Sequence, residues 1–427
     1  MKFIIKKSKG KQNNTTNSLA SSVITITILL VPFFSQYASN IPGISLGDII
    51  IGIAMIVALF SSRFKIILGK IKYFILIWGF GGITTLITMI VQRQVNIDVI
   101  TRYMRFSFYV IAVILAIQLI NKERAIHYLK IFCALLASYI ILQTLVYYTT
   151  GIMLPFKILN IPWMSGSLMN NEYALYIATK YYYRPSGIFI EPGYAAQYLL
   201  MGFAFSLYGS DENKKVDIKL AILIFLGLLL STSSQGVFIG IILIVYKIID
   251  RLKSNNANTQ KGWNIVIVIF MAIVLLLVFQ TDMVQSSLNK ITEEVRGGSS
   301  ASVRLYRGFA VFLKLPTLFK LIGVGHGNLG NFVLRNDIYT KYDPEIMTLE
   351  FAEYANGFSL ILLYYGIFIA MAFMYFLYRT YKNSTGAFRM LVIIQVILAF
   401  VSGAFVDSSI VTFFPLIFME CTYKSKT

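Results

Sequence analysis

The sequence predicts an all-α polytopic membrane protein with about twelve transmembrane helices and two long outer loops containing short interfacial helices. Three observations predict this. Of the 427 residues, 57% are hydrophobic, and the mean hydropathy is +0.70. Only 13% are charged, against roughly 25% in soluble domains. The basic residues also sort by position along the chain, as a multi-pass topology requires.

Residues 1–18 form a basic tail with Lys2, Lys6, Lys7, Lys9 and Lys11. The apolar run Leu19–Ala38 is long for a signal-peptide core, and further apolar runs follow it, so it reads as a retained anchor. Further spans are predicted near 44–60, 71–91, 103–120, 126–149, 187–208, 218–232, 235–250, 263–280, 354–377, 388–405 and 406–420. The outer loops cover about 150–184 and 281–353. The prediction is a single transmembrane domain over 19–420, with a short tail at 421–427 on the same side as the N-terminus.

With the N-terminus placed in the cytoplasm, 24 of the 38 Lys and Arg residues fall in inner segments and 14 in outer ones. Every short inner loop is basic, and both long loops fall outside. The formal charge of +19 is therefore mostly topology signal, and no nucleic-acid partner is expected. Cys133 and Cys421 are the only cysteines and His127 and His326 the only histidines. No disulfide framework, zinc site, other metal site or cofactor site is readable. The two halves carry no readable repeat, which gives no support to an inverted-repeat transporter.

The stretch Tyr181–Leu200 places Arg184 and Glu191 at the rim of a span, and ionisable residues at membrane depth are candidate functional sites. Pro192 suits the first helical position, so a helix is predicted from Pro192 to about Tyr208. Ile188-Phe189-Ile190 is expected to dip into the protein at membrane level. Arg184 and Glu191 either pair with each other or act on a substrate, Arg184 gripping phosphate and Glu191 orienting it or accepting a proton. The aromatic run Tyr181–Tyr183 suits either an interfacial belt or stacking on sugars.

In the second outer loop, Val284, Leu288, Ile291 and Val295 recur at helical spacing. Phe309–Leu321 reads as an interfacial helix whose Lys314 and Lys320 snorkel. Arg304 and Arg307 sit three apart, so they share a helix face. Their guanidinium forks match phosphate oxygens or anchor lipid headgroups. Gly325-His-Gly-Asn-Leu-Gly330 fits a dinucleotide fingerprint by letter, but no strand precedes it, so that reading is rejected. A Gly-rich turn still offers backbone N–H groups to an anion. His326 is either a general base or a turn residue bonded to its own loop. Asn356 caps the next span or contacts sugar. Asp48 and Asp407 read as local caps.

Taken together, these stretches resemble a known family. Arg184-Pro-Ser-Gly-Ile-Phe-Ile-Glu-Pro-Gly-Tyr-Ala-Ala-Gln-Tyr-Leu, the turn Leu228-Leu-Leu-Ser-Thr-Ser-Ser-Gln-Gly236, Ser302-Val-Arg304 with Ile322-Gly-Val-Gly-His-Gly-Asn328, and Asn356-Gly-Phe-Ser-Leu-Ile-Leu-Leu-Tyr-Tyr-Gly366 resemble, in that order, motifs of the Wzy-type polysaccharide repeat-unit polymerases. These belong to the O-antigen polymerase and ligase superfamily. The likeness covers about 184–370. It implies a metal-independent, GT-C-like membrane glycosyltransferase of the bacterial cytoplasmic (inner) membrane. The implied substrates are undecaprenyl-diphosphate-linked oligosaccharides on the outer leaflet, among membrane lipids, with a chain-length regulator as a candidate partner. By the same resemblance Arg184 and Arg304 bind diphosphate, with Glu191 close by. Two positions depart from it. Gln235 stands where the turn usually has arginine. Ala355-Asn356 stands where the ligase branch often has His-Asn. The second departure favours a polymerase over a ligase and leaves His326, Glu353 or Glu191 as candidate bases. A flippase of lipid-linked sugar is the rival from another class.

Overall fold

The computed structural model describes residues 18–41, 43–61, 68–93, 96–164, 183–210, 216–253, 303–403 and 408–421. Their regular structure is helical, apart from an isolated bridge between Ala38 and Ser45. The predicted span near 263–280, the amphipathic pattern at 284–295 and Asp407 lie outside the described residues.

The chain divides into two compact units, Met1–Tyr128 with Gly297–Thr427, and Leu129–Arg296. The first unit holds α1 (Ser18–Phe34), α2 (Leu46–Ser61), α3 (Leu68–Val91) and α4 (Ile97–Leu119). After the second unit it resumes with a π-helical turn (Val303–Arg307) and the short helices α9 (Gly308–Lys314), α10 (Thr317–Ile322), α11 (Leu329–Arg335) and α12 (Leu349–Ala352). It ends with α13 (Gly357–Asn383), α14 (Gly386–Val401) and α15 (Ile410–Cys421). The helix α5 (Lys122–Thr150) begins in this unit and continues into the second. The second unit also holds α6 (Pro192–Tyr208), α7 (Ile218–Leu230) and α8 (Ser234–Lys253).

The helix starts follow local chemistry. Asn96 caps α4, its side chain accepting from the Asp98 N–H at 2.9 Å. Ser45 and Asp48 cap reciprocally at the head of α2: the Ser45 N–H donates to Asp48 at 2.8 Å and the Asp48 N–H to Ser45 at 3.1 Å. Asn356 caps α13 by accepting from the Ser359 N–H at 2.8 Å. Each cap satisfies a donor that the first helical turn leaves open.

Among the described residues, four helices are long and apolar enough to cross a membrane: Phe74–Val91, Ile97–Leu119, Lys122–Thr150 and Gly357–Asn383. Shorter apolar helices include Leu46–Phe60, Gly386–Val401 and Ile410–Met419. Many large apolar side chains remain exposed on them, among them Phe60, Ile90 and Leu135. Such surface is unfavourable in water and suits a lipid environment.

The core of the first unit is aromatic. Phe74 meets Phe414 edge-to-face at 4.8 Å, and Phe376 stacks on Phe418 at 5.3 Å. The helix α13 is not continuous. At Gly366 the backbone turns to φ 75° and ψ 177°, a conformation nearly confined to glycine. The break frees the carbonyls of Leu363 and Tyr364, which accept from the Val324 N–H at 2.8 Å and the Gly325 N–H at 3.1 Å. The turn after α10 thus restores hydrogen bonds that the broken helix lacks, as an apolar setting requires.

The expected single interfacial helix over Phe309–Leu321 is two helices, α9 and α10. Leu315 is extended at φ −61° and ψ 146° and Pro316 opens the next helix, because a residue before proline is pushed out of the helical region. Lys314 is exposed, and its head donates to the Tyr339 carbonyl.

Candidate functional site

In the second unit, α6 begins where the sequence places it. Glu191 is the extended N-cap residue at φ −136° and ψ 146°, and Pro192 opens the helix. The Glu191 side chain makes no capping hydrogen bond. The segment before it is anchored from α5. Gln143 accepts from the Gly187 N–H at 2.9 Å and donates to the Gly187 carbonyl at 3.0 Å. Phe189 is buried beneath. Arg184 is exposed, and its Nε reaches Thr232 Oγ1 at 3.4 Å. Among the described residues no ion pair joins Arg184 to Glu191, so the mutual pairing considered from sequence is not what positions them. Gln235 donates to the Gly193 carbonyl at 3.2 Å, tying the 231–236 turn to the first turn of α6. Tyr183 is buried and stacks on Tyr147 at 4.2 Å.

In the first unit, five consecutive residues gather three arginines. The connector Ala352-Glu-Tyr-Ala-Asn356 joins α12 to α13. Arg307 donates through Nη1 to the carbonyls of Ala352 at 3.2 Å and Tyr354 at 2.9 Å. Its Nε pairs with Asp343 at 2.5 Å. Arg304 donates to the Tyr354 hydroxyl and lies over that ring at 5.5 Å. Arg102, on α4, pairs with Glu353. Asn356 completes the set by donating to the carbonyls of Arg304 at 2.9 Å and Leu305 at 3.2 Å.

This arrangement separates the candidates. Arg307 is 1% exposed with every nitrogen in contact, so it supports the connector. Asn356 is fully buried, and both ends of its amide are occupied. Arg304 is half-buried and uses one nitrogen on Tyr354. The expected shared helix face is a π-helical turn, along which Arg304 and Arg307 take different partners.

His326 lies in the turn between α10 and α11 and is buried. Its N–H is held by Thr85 at 2.9 Å, its Nδ1 meets the Tyr365 hydroxyl at 2.8 Å, and its ring stacks on Phe106 at 4.2 Å. Three glycines with positive φ, Gly323, Gly325 and Gly327, shape this turn. A Cβ on Gly327 would sit 2.8 Å from Arg102 Cβ, so Arg102 packs directly against the residue after His326. Burial, aided by the Arg102 charge, pushes the imidazole down to about 3, leaving it neutral at physiological pH. Burial raises the Glu353 carboxyl above its ordinary range, and Arg102 opposes that rise. The turn also covers one end of α3: Arg335 donates to the Gln92 carbonyl at 3.0 Å and Asn328 to the Gln92 side chain at 3.4 Å.

Arg102 is the residue the sequence reading missed. Starting the fourth span at 103 put it in a loop. Asn96-Ile-Asp98, an N-cap followed by an acidic first turn, is the signal that starts the helix earlier and carries Arg102 onto it. His127 is exposed and Cys133 buried. Among the described residues no cluster of three His, Cys, Asp or Glu could hold a metal ion.

The long apolar helices and the exposed apolar surface among the described residues suggest a multi-pass membrane protein of helical class. No family model matches the chain, and no curated protein matches it.

Proposed function

We propose that this chain is an integral-membrane polysaccharide polymerase of about twelve spans with cytoplasmic termini. It transfers a growing glycan from its undecaprenyl diphosphate carrier to an incoming lipid-linked repeat unit on the outer leaflet. The observation that carries this reading is the gathering of Arg102, Arg304 and Arg307 on the 352–356 connector at the head of a broken apolar helix. Arg307 braces the connector, while Arg102 and Arg304 keep donors for an anion. The exposed Arg184, on a segment pinned by Gln143, supplies a further cation in its own unit.

The chemistry needs little else. A lipid diphosphate is a good leaving group, so positioning and stabilisation of developing negative charge supply most of the catalysis. Guanidinium groups do both. The acceptor hydroxyl attacks the anomeric carbon, the bond to phosphate breaks, and the diphosphate leaves with the electron pair. A carboxylate takes the hydroxyl proton. Glu353 and Glu191 suit that role better than His326, whose lowered basicity makes it a weak proton acceptor.

The test is purified protein in detergent supplied with labelled lipid-linked repeat units. Products longer than one unit support the polymerase. Unchanged substrate, with transbilayer movement in vesicles instead, replaces it with a transporter.

A further inference from the structure

The first unit contains three arginine–carboxylate pairs among its described residues, and one is left open. Arg105 places Nε on Tyr109 at 2.8 Å and Nη2 on Asp48 at 2.7 Å, and Asp48 also accepts from Tyr109 at 2.6 Å and the Ser45 N–H at 2.8 Å. Arg105 is 37% exposed, but both oxygens of its Asp48 carboxylate are engaged, and Arg307 is closed at every nitrogen as described above. Arg102 differs. Only Nη1 is engaged, on Glu353 Oε2. Nε and Nη2 have no hydrogen-bond partner among the described residues, and the side chain is 39% exposed. Its carboxylate is incomplete too: Glu353 Oε1 is buried with no hydrogen-bond partner within 3.5 Å, and among the described residues only the more distant Gly330 N–H acts on the carboxyl besides Arg102. A buried carboxylate oxygen without a donor is costly, and an arginine fork with two free nitrogens is a bidentate anion site.

Arg102 itself meets Glu353, Tyr364 and Asp98, and the end of α4 that carries it is otherwise apolar and exposed. Ile97 is 71% exposed and Met104 63%, on the face of α4 turned away from Arg102, and Ile90 and Val91, 74% and 55% exposed, end α3 just before. A cation near the end of a helix that exposes such surface suits the headgroup of a lipid better than a free anion in water.

We infer that Arg102 and Glu353 form an exchangeable ion pair in which Glu353 holds the place of a phosphate oxygen, and that the site binds the phosphate or diphosphate headgroup of a lipid. Only the identity of the lipid, undecaprenyl diphosphate, rests on the proposed function. Arrival of the headgroup draws Arg102 toward phosphate. Glu353 then loses its counter-charge in a buried position, which raises its proton affinity.

The test measures binding of the full-length protein in phosphatidylcholine nanodiscs, with and without undecaprenyl diphosphate, and separately with inorganic pyrophosphate. Arg102→Gln is expected to weaken lipid diphosphate binding by at least about tenfold, the scale of one charge-assisted hydrogen bond. Arg102→Lys, which keeps charge and loses the fork, falls between. Glu353→Gln is expected to tighten binding by about tenfold, because the competing carboxylate is gone. A merely structural pair predicts the opposite sign for Glu353→Gln, and weakened or unchanged binding in that variant overturns the inference. If Arg102→Gln does not purify as a single species, Glu353→Gln decides alone. Pyrophosphate binding as tight as that of the lipid, with the same variant pattern, overturns the lipid assignment and keeps the phosphate site. Affinity shifts without glycan extension reject the polymerase and keep the site. Extension with unshifted affinities rejects the site and keeps the polymerase.

Discussion

Arg307 donates its Nε to Asp343 at 2.5 Å while their side chains are 1% and 2% exposed. The same guanidinium holds the Ala352 and Tyr354 carbonyls, and its carbon lies 5.0 Å from the Phe351 ring centre. A buried pair of this kind gives little net stability, but breaking one side leaves an uncompensated charge. Asp343→Ala is therefore expected to cost about 3–5 kcal/mol, read as earlier thermal unfolding of the purified protein in detergent. The double variant Arg307→Met with Asp343→Leu should recover much of that loss. Equal stability of Asp343→Ala and wild type would remove Arg307 from its bracing role.

Gly366 and Gly323 face each other's strands of backbone. A Cβ on Gly366 would sit 2.1 Å from the Leu321 carbonyl oxygen, and one on Gly323 would sit 2.3 Å from that of Tyr364. Both residues have positive φ, 75° and 83°. Gly366→Ala should cost about 1–3 kcal/mol from backbone conformation alone, with the backbone clash added. Gly79 in α3 is the control, since a Cβ there meets nothing within 4 Å. Gly79→Ala should be neutral or stabilising by up to about 1 kcal/mol. The comparison uses melting temperatures of the three proteins in one detergent; equal values would mean that the α13 break tolerates a side chain.

His326 gives a pH prediction with a definite sign. Its imidazole is pushed down to about 3 by burial first and the Arg102 charge second, from an ordinary value near 6.5. Between those values the unfolded chain binds a proton that the folded chain does not. Stability is therefore full above about pH 6.5 and falls as the pH drops toward 3, with a limiting slope of about 1.4 kcal/mol per pH unit. Arg102, Tyr103, Tyr364 and Tyr365 are the titratable or charged groups that act on or face the ring, and Glu353 is paired to Arg102 behind them. His326→Gln should flatten the acid side of the stability profile between pH 6.5 and 4.5 relative to wild type. Parallel profiles in the two proteins would show that the histidine does not titrate with unfolding.

Features governed by adjacent residues were legible in the sequence. Glu191-Pro192 marks the start of α6 because proline lacks an N–H and restricts its predecessor. Asn356 and Asp48 cap because a side-chain acceptor stands at the right offset. The apolar runs mark helices because each must bury or immerse its surface. What was not legible depends on residues far apart in the chain. Nothing near Arg307 announces Asp343, 36 residues on, so the arginine read as a phosphate ligand. Arg102 meets Glu353 across 251 positions. The break at Gly366 lies inside an apolar run, and its stabilising donors come from Val324 and Gly325. Pro316 was readable, and its effect on the preceding residue was overlooked in favour of the apolar pattern.

Arg184 and Arg304 carry the last prediction. Each is accessible or half-buried with donors to spare, unlike Arg307, whose nitrogens are all in contact. Among the described residues Arg184 makes only a long contact to Thr232, so Arg184→Ala removes a cation without removing a close contact among them. Arg304 uses Nε on the Tyr354 hydroxyl, so Tyr354→Phe frees that nitrogen and leaves the charge in place. Arg184→Ala and Arg304→Ala are expected to abolish polymer ladders in cells at normal protein levels, a loss of at least about 10² in extension rate for a transition-state cation. Arg304→Lys should keep only a residual ladder, because a point charge lacks the fork. Tyr354→Phe should keep most of it. Gel profiles of surface glycan beside immunoblots of membrane fractions read all four. Wild-type ladders in both alanine variants would show that neither arginine binds the diphosphate. Ladder loss in Tyr354→Phe equal to that in Arg304→Ala would show that Arg304 acts by holding Tyr354 and not by binding substrate.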